Sequence, residues 1–312
     1  MKSGDDKKLL RLMSEMMEDD DEERRVFLAD RILEMDPGNG TAKYVKWQSR
    51  EDEESLSDTA LLQEAAASLR PDIENLDEYD GDGEMLYLIY VSILSDLASY
   101  SYLAGDRLRA FEAASEFMKF DRDCRAVGRA VYFAILAERG DFKKLLSAVE
   151  DDICETPPGE YCRAIAAFET EEYRDEAAGY LLNAISLDPD LPYYILELKS
   201  IAEEDLSDDG CDYAGEFTLI VMILSELWSA NADRLAFFSA LVFAFGYLTR
   251  RMDESGDLAM LEQTYRGAGC LEEMREARDI LDAMLADGRE QREVDDEALS
   301  MLQEAEYFGL TE

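Results

Sequence analysis

Apolar residues recur along this chain at intervals of three and four positions, with polar residues between them. The run of Met274, Ala277, Leu281 and Leu285 is one such stripe. This spacing places the apolar side chains on one face of an α-helix. No stretch alternates between apolar and polar residues and ends in hairpin turns, so no β-sheet is predicted. About fifteen helices of roughly 11–18 residues would account for the length.

Proline positions divide these periodic segments. Proline cannot donate a backbone hydrogen bond and biases the preceding residue away from helix, so each proline is predicted to mark a break between helices. The prolines are Pro37, Pro71, Pro157, Pro158, Pro189 and Pro192.

Internal repetition is the most informative feature of the pattern. In residues 105–121 and 172–188 an alanine, Ala110 or Ala177, precedes the closing aspartate by eleven positions, and residues 25–36 follow the same layout in part. Small residues allow two antiparallel helices to approach closely, and an Asp-Pro pair ends the second helix. One such hairpin cannot bury its own apolar face, so neighbouring hairpins are predicted to stack.

Residues 181–189 follow the pattern Leu-x-x-Ala-Ile-x-Leu-Asp-Pro, which resembles the closing signature of the tetratricopeptide repeat, and residues 105–121 resemble the same half-repeat. Residues from about 85 to 245 also resemble a microbial group of tetratricopeptide proteins related to the suppressor-of-tumorigenicity-7 family. That narrower resemblance rests on residues 123–132, 136–141 and 188–196. The chain departs from the group at Asp190, where the group tends to carry histidine, and it lacks the group's C-terminal Cys/His motif.

The periodicity and this resemblance together predict an all-α fold, an α-solenoid of stacked antiparallel helix hairpins with a helical C-terminal cap. The expected parts are N-terminal helices with one degenerate repeat over 1–80, a tetratricopeptide-like array over 81–205, and a C-terminal helical region over 206–312. The resemblance implies a non-catalytic scaffold or adaptor for protein–protein interaction.

The charge balance limits the classes of partner that the chain is expected to bind. The chain carries 73 Asp and Glu against 31 Lys and Arg, a formal net charge of −42. Such a field repels phosphate backbones and anionic membrane surfaces, so neither nucleic acid nor membrane is expected as a partner. A surface adapted for solubility, as in a saline cytoplasm, is the simpler interpretation, and a basic protein or peptide ligand is the alternative.

Histidine is absent, which excludes Ser-His-Asp and Cys-His sites and removes the commonest general base. The cysteines lie far apart without a CxxC motif, so they are predicted to be free thiols, and neither a zinc site nor a cofactor is expected. They are Cys124, Cys154, Cys162, Cys211 and Cys270.

The N-terminal residues turn acidic without an apolar core, which predicts no signal peptide and a cytoplasmic protein. The most apolar run, residues 235–248, is shorter than the ~20 residues of a transmembrane helix and is predicted to be a buried helix. The oligomeric state is left open by the sequence.

Two groups of residues are candidates for partner binding. Ser92, Ser95, Ser99 and Tyr102 form a stripe that, in the tetratricopeptide register, lines the concave groove; the alternative is that the small serines only let helices pack. Arg129, Tyr132, Tyr161 and Arg163 would add a positive, aromatic spot, as at binding hot spots; the alternative is internal salt bridging.

Two further functions remain as alternatives. Glu272, Glu273, Glu276 and Asp279 follow helical spacing, with Asp282 near, and such carboxylates could hold Mg²⁺ or Mn²⁺ in an all-helical hydrolase. The interleaved arginines are equally typical of a solvated helix face. The other alternative is a structural homo-oligomer, in which the helix over 235–248 packs on a second copy.

Overall fold

A computed structural model describes residues 4–50, 59–74, 82–201, 213–252, 259, 261–263, 266–267 and 269–304. Within these ranges the chain forms fifteen α-helices and one 3-10 helix and contains no strand, which confirms the all-α prediction. Cys211 and parts of the C-terminal helical region predicted over 206–312 lie outside the described residues.

The chain divides into two compact units, Met1–Tyr132 and Phe133–Glu312. The helices of unit 1 are α1 Gly4–Glu18, α2 Glu22–Met35, α3 Gly40–Gln48, α4 Ala60–Glu74, α5 Asp82–Leu103 and α6 Arg107–Phe120; α7, Ala126–Glu138, spans the boundary between the units. In unit 1 each helix from α1 to α6 packs against its neighbour in sequence. Such sequential packing is what stacked hairpins require.

Unit 2 continues with nine further helical elements. They are α8 Phe142–Glu150, α9 Pro157–Glu169, the 3-10 helix Glu171–Glu176, α10 Ala177–Leu187, α11 Leu191–Ile195, α12 Tyr213–Ser229, α13 Ala232–Leu248, α14 Leu271–Ala286 and α15 Gln291–Glu304. Most pack against chain neighbours, but α15 also returns to α10 and α13. α15 therefore packs against a helix, α10, that precedes it by about a hundred residues.

The repeated layout corresponds to helix hairpins. Between α5 and α6, Gly105 adopts a φ of 78°, a conformation that favours glycine, and the Asp106 side chain caps α6 by accepting a hydrogen bond from the Arg109 backbone N–H. Ala110 on α6 is fully buried, and Asp121 ends α6. The small residue and the closing aspartate thus have the structural roles that the repeat pattern predicted.

One predicted break is wrong. Pro71 lies inside α4, which continues to Glu74. The missing N–H of Pro71 removes a backbone hydrogen bond only in the final turn of α4. Ile73 is buried in that turn, which keeps the chain helical. Pro37 and Pro189 follow α2 and α10 as predicted, whereas Pro157, Pro158 and Pro192 occupy first turns, where proline is tolerated.

The free-thiol prediction is wrong for two cysteines. Cys124 and Cys154 are each part of a disulfide bond, while Cys162 and Cys270 are free and buried. The spacing of cysteines along the sequence does not show which sulfur atoms come together in the fold, so the wide spacing led to the wrong prediction. Burial raises the pKa of the Cys162 thiol to about 12, which makes it a poor nucleophile.

The apolar run over 235–248 lies in α13 and is largely buried, as predicted. Among the described residues, one helix is long and apolar enough to cross a membrane, Gly83–Leu103, and 67% of its 18-residue window is buried inside the structure. Each unit holds one tryptophan, Trp47 in unit 1 and Trp228 in unit 2, and both are buried.

Candidate functional site

The predicted serine stripe lies on α5, but its side chains bond within the fold. Ser92 is half-buried and its Oγ accepts a hydrogen bond of 2.9 Å from Nη1 of Arg125. Ser95 and Ser99 are buried, and Ser99 Oγ donates to the Ser95 carbonyl one turn earlier at 2.8 Å. These contacts support the packing interpretation, since small hydroxyls at a helix interface can satisfy themselves locally.

Tyr102 and Tyr132 are also held by neighbouring side chains. Tyr102 is buried, and the guanidinium of Arg107 lies 3.6 Å from its ring centroid. Tyr132 is half-buried and stacks on Phe111 with ring centroids 5.3 Å apart. Burial raises the pKa of Tyr132, so its hydroxyl stays protonated at neutral pH.

Arg129 is the most deeply buried charged residue of the predicted set. Its Nη1 donates to the Asp121 carboxylate, and the two side chains are 1% and 0% exposed. Asp121 also accepts from the backbone N–H of Arg125 at 3.0 Å. The predicted alternative, internal salt bridging, is therefore what this structure shows for Arg129.

The two candidates on α9 lie in unit 2. Tyr161 is fully buried, its ring lies edge-to-face with that of Phe238 at a centroid distance of 5.9 Å, and its hydroxyl has no hydrogen-bond partner among the described residues. Burial raises the pKa of Tyr161 well above its usual value. Arg163 is partly exposed; it contacts Glu160 at 3.5 Å and lies 4.1 Å above the ring of Tyr180.

Of the eight predicted positions, three keep solvent access: Ser92, Tyr132 and Arg163. The other five are buried, and a direct contact with a partner would require the surrounding side chains to move. Partner binding by these positions stays a prediction.

The carboxylates predicted on one helix face do line the outside of α14. Glu273, Glu276 and Asp279 are exposed and form no ion pair with a described residue, whereas Glu272 contacts Arg275 at 3.5 Å. Ile280 stands among them with 54% of its surface exposed. Sequence reasoning missed Ile280, because an isolated isoleucine in an amphipathic pattern is ordinarily assigned to the core.

The adjacent helix extends this surface. The residues 287–290 connect α14 to α15, and the two helices pack side by side. On α15, Asp296 and Glu297 are exposed and lack an ion pair within the described part of the chain. We name the group Glu273, Glu276, Asp279, Ile280, Asp296 and Glu297 the acidic face.

The geometry gives little support to the two alternative functions, the metal-dependent hydrolase and the structural homo-oligomer. Asp282 does not join the other carboxylates; it pairs with Arg250, whose hydrogen bonds hold the pKa of Asp282 below its usual value. Across the described ranges no group of three or more His, Cys, Asp or Glu is arranged to hold a metal ion. In α13, Phe238 is fully buried and stacks on Trp228, so it is not available to a second copy, whereas Phe243 is half-buried.

Comparison of the chain with protein-family models, with curated proteins and with solved structures finds no match.

Proposed function

We propose that this chain is a non-catalytic protein-interaction scaffold of tetratricopeptide type, and that its acidic face binds a basic segment of another protein. One observation carries the proposal: an exposed isoleucine, Ile280, is surrounded by carboxylates that have no counter-ion among the described residues. Carboxylates used only to balance internal cations would be paired, as Asp282 is with Arg250.

The exposed side chain of Ile280 is suited to be the apolar anchor for a bound ligand. Fully burying an isoleucine is worth about 1.5–3 kcal/mol, so covering the exposed half of this side chain would add roughly 1 kcal/mol to binding. Interfaces commonly combine a small apolar centre with a polar rim. The acidic face combines these features, because the exposed Ile280 lies on the same helix as the exposed carboxylates Glu273, Glu276 and Asp279.

The surrounding charge favours a basic ligand. Residues 133–312 carry 42 carboxylates and 14 basic side chains, a formal charge of −28, against −14 for residues 1–132. A field of one sign speeds the encounter with an oppositely charged partner and disfavours anionic ones. A ligand with clustered Lys and Arg and one apolar residue matches both the charge and Ile280.

Sequential packing of the helices in unit 1 supports the scaffold interpretation over a single-site enzyme. Within the described part of the chain, no specific contact favours the hydrolase or the homo-oligomer, because no carboxylates of α14 are grouped to hold a metal ion and Phe238 is already covered.

The test compares two variants with the same change in net charge. The first carries Glu273→Lys, Glu276→Lys and Asp279→Lys on the acidic face. The control carries Glu112→Lys, Glu150→Lys and Glu226→Lys, which are exposed helix positions elsewhere without an ion pair among the described residues. Proteins captured by each from cells of the source organism are identified by mass spectrometry, and affinity is measured with a labelled helical peptide of Lys, Arg and Leu.

We expect the acidic-face variant to lose both the captured partner and the peptide, while the control retains them. An additional Ile280→Ser variant should weaken peptide binding several-fold without changing charge. Equal loss in both triple variants would show that only bulk charge matters, and equal retention would show that the acidic face is not used; either result overturns the proposal.

A further inference from the structure

Two consecutive arginines tie the last two helices to the rest of unit 2. They follow α13. Arg250 forms a bidentate ion pair with Asp282 on α14. Arg251 forms a bidentate ion pair with Asp295 on α15, with N–O distances of 2.6 and 2.8 Å. We call residues 269–304, which contain α14 and α15, the C-terminal hairpin. Each arginine thus holds a different helix of this hairpin.

The Arg251 contact is shielded from solvent. The side chains of Arg251 and Asp295 are only 14% and 6% exposed, and the guanidinium also lies 5.2 Å from the ring centroid of Phe245. Partly buried pairs are screened by salt much less than exposed ones. The buried apolar side chains of α15 are Val294, Ala298, Leu299 and Leu302.

Two other arginines of the hairpin also contact residues outside it: Arg275 pairs with Glu262 at 3.3 Å, and the guanidinium of Arg278 lies 4.6 Å from the ring centroid of Tyr247. Against these contacts, the net charges oppose docking. The C-terminal hairpin carries twelve carboxylates and four arginines, a formal charge of −8, while residues 133–268 carry 28 carboxylates and ten basic side chains, a charge of −18. The repulsion between these bodies is long-ranged. The Debye length is about 30 Å at 0.01 M salt and about 3 Å at 1 M, so salt removes most of this repulsion. It leaves the shielded Arg251–Asp295 contact in place and weakens the more exposed Arg250–Asp282 contact.

We infer that the C-terminal hairpin is an ionic-strength-sensitive cap, which the Arg250 and Arg251 contacts hold closed at high salt and which undocks as a unit at low salt. Closing requires that the close contacts of the hairpin outweigh the repulsion between the charges of −8 and −18, and added salt shifts that balance toward closing. The elements it covers when closed are α10 and α13.

Hydrogen exchange of the full chain at 10 mM and 1 M KCl tests this inference. We expect amide protection in α14 and α15 to rise about tenfold or more at high salt, because screening acts on the hairpin as a whole. Protection in α9, within the core of the same unit, serves as the reference and should change much less.

Two variants separate the causes. Neutralising Glu276, Asp279 and Glu297 with Gln, Asn and Gln leaves both arginine contacts intact, and should raise protection at 10 mM and reduce the effect of salt. The matched control, Asp72→Asn, Glu84→Gln and Glu112→Gln, changes exposed residues of unit 1 that belong to neither charged body, and should leave the hairpin's salt response unchanged. Arg251→Gln should lower hairpin protection at both salt concentrations.

Three outcomes would overturn the inference. They are a protection change shared equally by α9 and the hairpin, hairpin protection that does not depend on salt, and hairpin protection that falls as salt is added. The binding test of the preceding section has a separate readout, so neither result depends on the other.

Discussion

Arg129 on α7 and Asp121 at the end of α6 form an ion pair from which solvent is almost completely excluded. The aspartate is the residue that closes the repeated hairpin layout, and the arginine lies in the first turn of the following helix. The guanidinium also lies 5.9 Å from the ring centroid of Phe117. The closing residue of one hairpin therefore anchors the first helix of the next.

Removing the arginine should be costly. Arg129→Met keeps the length of the side chain but leaves the Asp121 carboxylate buried without its cation, which typically costs about 3–5 kcal/mol. Adding Asp121→Asn should recover much of the loss, because the amide carries no charge. Urea unfolding followed by circular dichroism measures each step, and a double variant no more stable than Arg129→Met would contradict the pairing.

Gly128 on α7 should not tolerate alanine. A Cβ there would lie 2.5 Å from Cδ1 of Phe117, which is fully buried and cannot move aside freely. We expect a loss of about 1–3 kcal/mol in the free energy of unfolding. Gly179 on α10 is the matched control, since its Cβ would meet nothing within 4 Å. Gly179→Ala should stabilise the protein by about 0.4–1 kcal/mol, and a gain at both sites would refute the packing described at Gly128.

The cysteines should differ in their reaction with iodoacetamide. In the native protein Cys124 and Cys154 should resist alkylation until a reductant is added, because their sulfurs are in disulfide bonds. Cys162 should resist until the protein is unfolded, because burial raises its thiol pKa to about 12. Peptide mass spectrometry reads each site separately. Labelling of Cys124 or Cys154 without reductant would show that these disulfides do not form in solution.

The Arg250–Asp282 contact should stabilise the fold only while the carboxylate is charged. The hydrogen bonds of Arg250 lower the pKa of Asp282 in the folded state, so the stabilisation is complete above the unfolded pKa of about 3.9 and is lost as pH falls through the folded value. The stability difference between wild type and Asp282→Asn, up to about 1 kcal/mol for a pair of this exposure, should be constant from pH 8 to 5. It should shrink below pH 4.

Arg250→Gln is the control for this pH dependence. It removes the main cause of the lowered pKa, so exchanging Asp282 for Asn in that background should leave only the smaller pH dependence that the charge of Arg278 causes. A pH-dependent difference as large as that in the wild type would contradict the role of Arg250.

Local pattern was sufficient to predict the helices and hairpins. The turn at Gly105, the cap at Asp106 and the small residue at Ala110 act within a few residues of one another, so the sequence displays them directly. The same holds for α13, whose apolar run predicted a buried helix.

Properties that depend on distant neighbours were not predictable in this way. Ser95, Ser99 and Arg129 resemble surface residues by type, and only the placement of α5, α6 and α7 shows that they are enclosed. Ile280 presents the opposite case, an apolar residue that no neighbouring helix covers. Burial depends on which helix faces pack together. A single sequence shows the apolar face of a helix but does not show which element packs against it.

The two tryptophans offer a pair of built-in optical reporters. Trp47 is 3% exposed in unit 1 and Trp228 is 0% exposed in unit 2, and the chain has no other indole. Emission from Trp47→Phe therefore comes from unit 2 alone, and emission from Trp228→Phe comes from unit 1 alone. Superimposable melting curves for the two proteins would identify a single cooperative transition, and separate curves would assign a midpoint to each half of the chain.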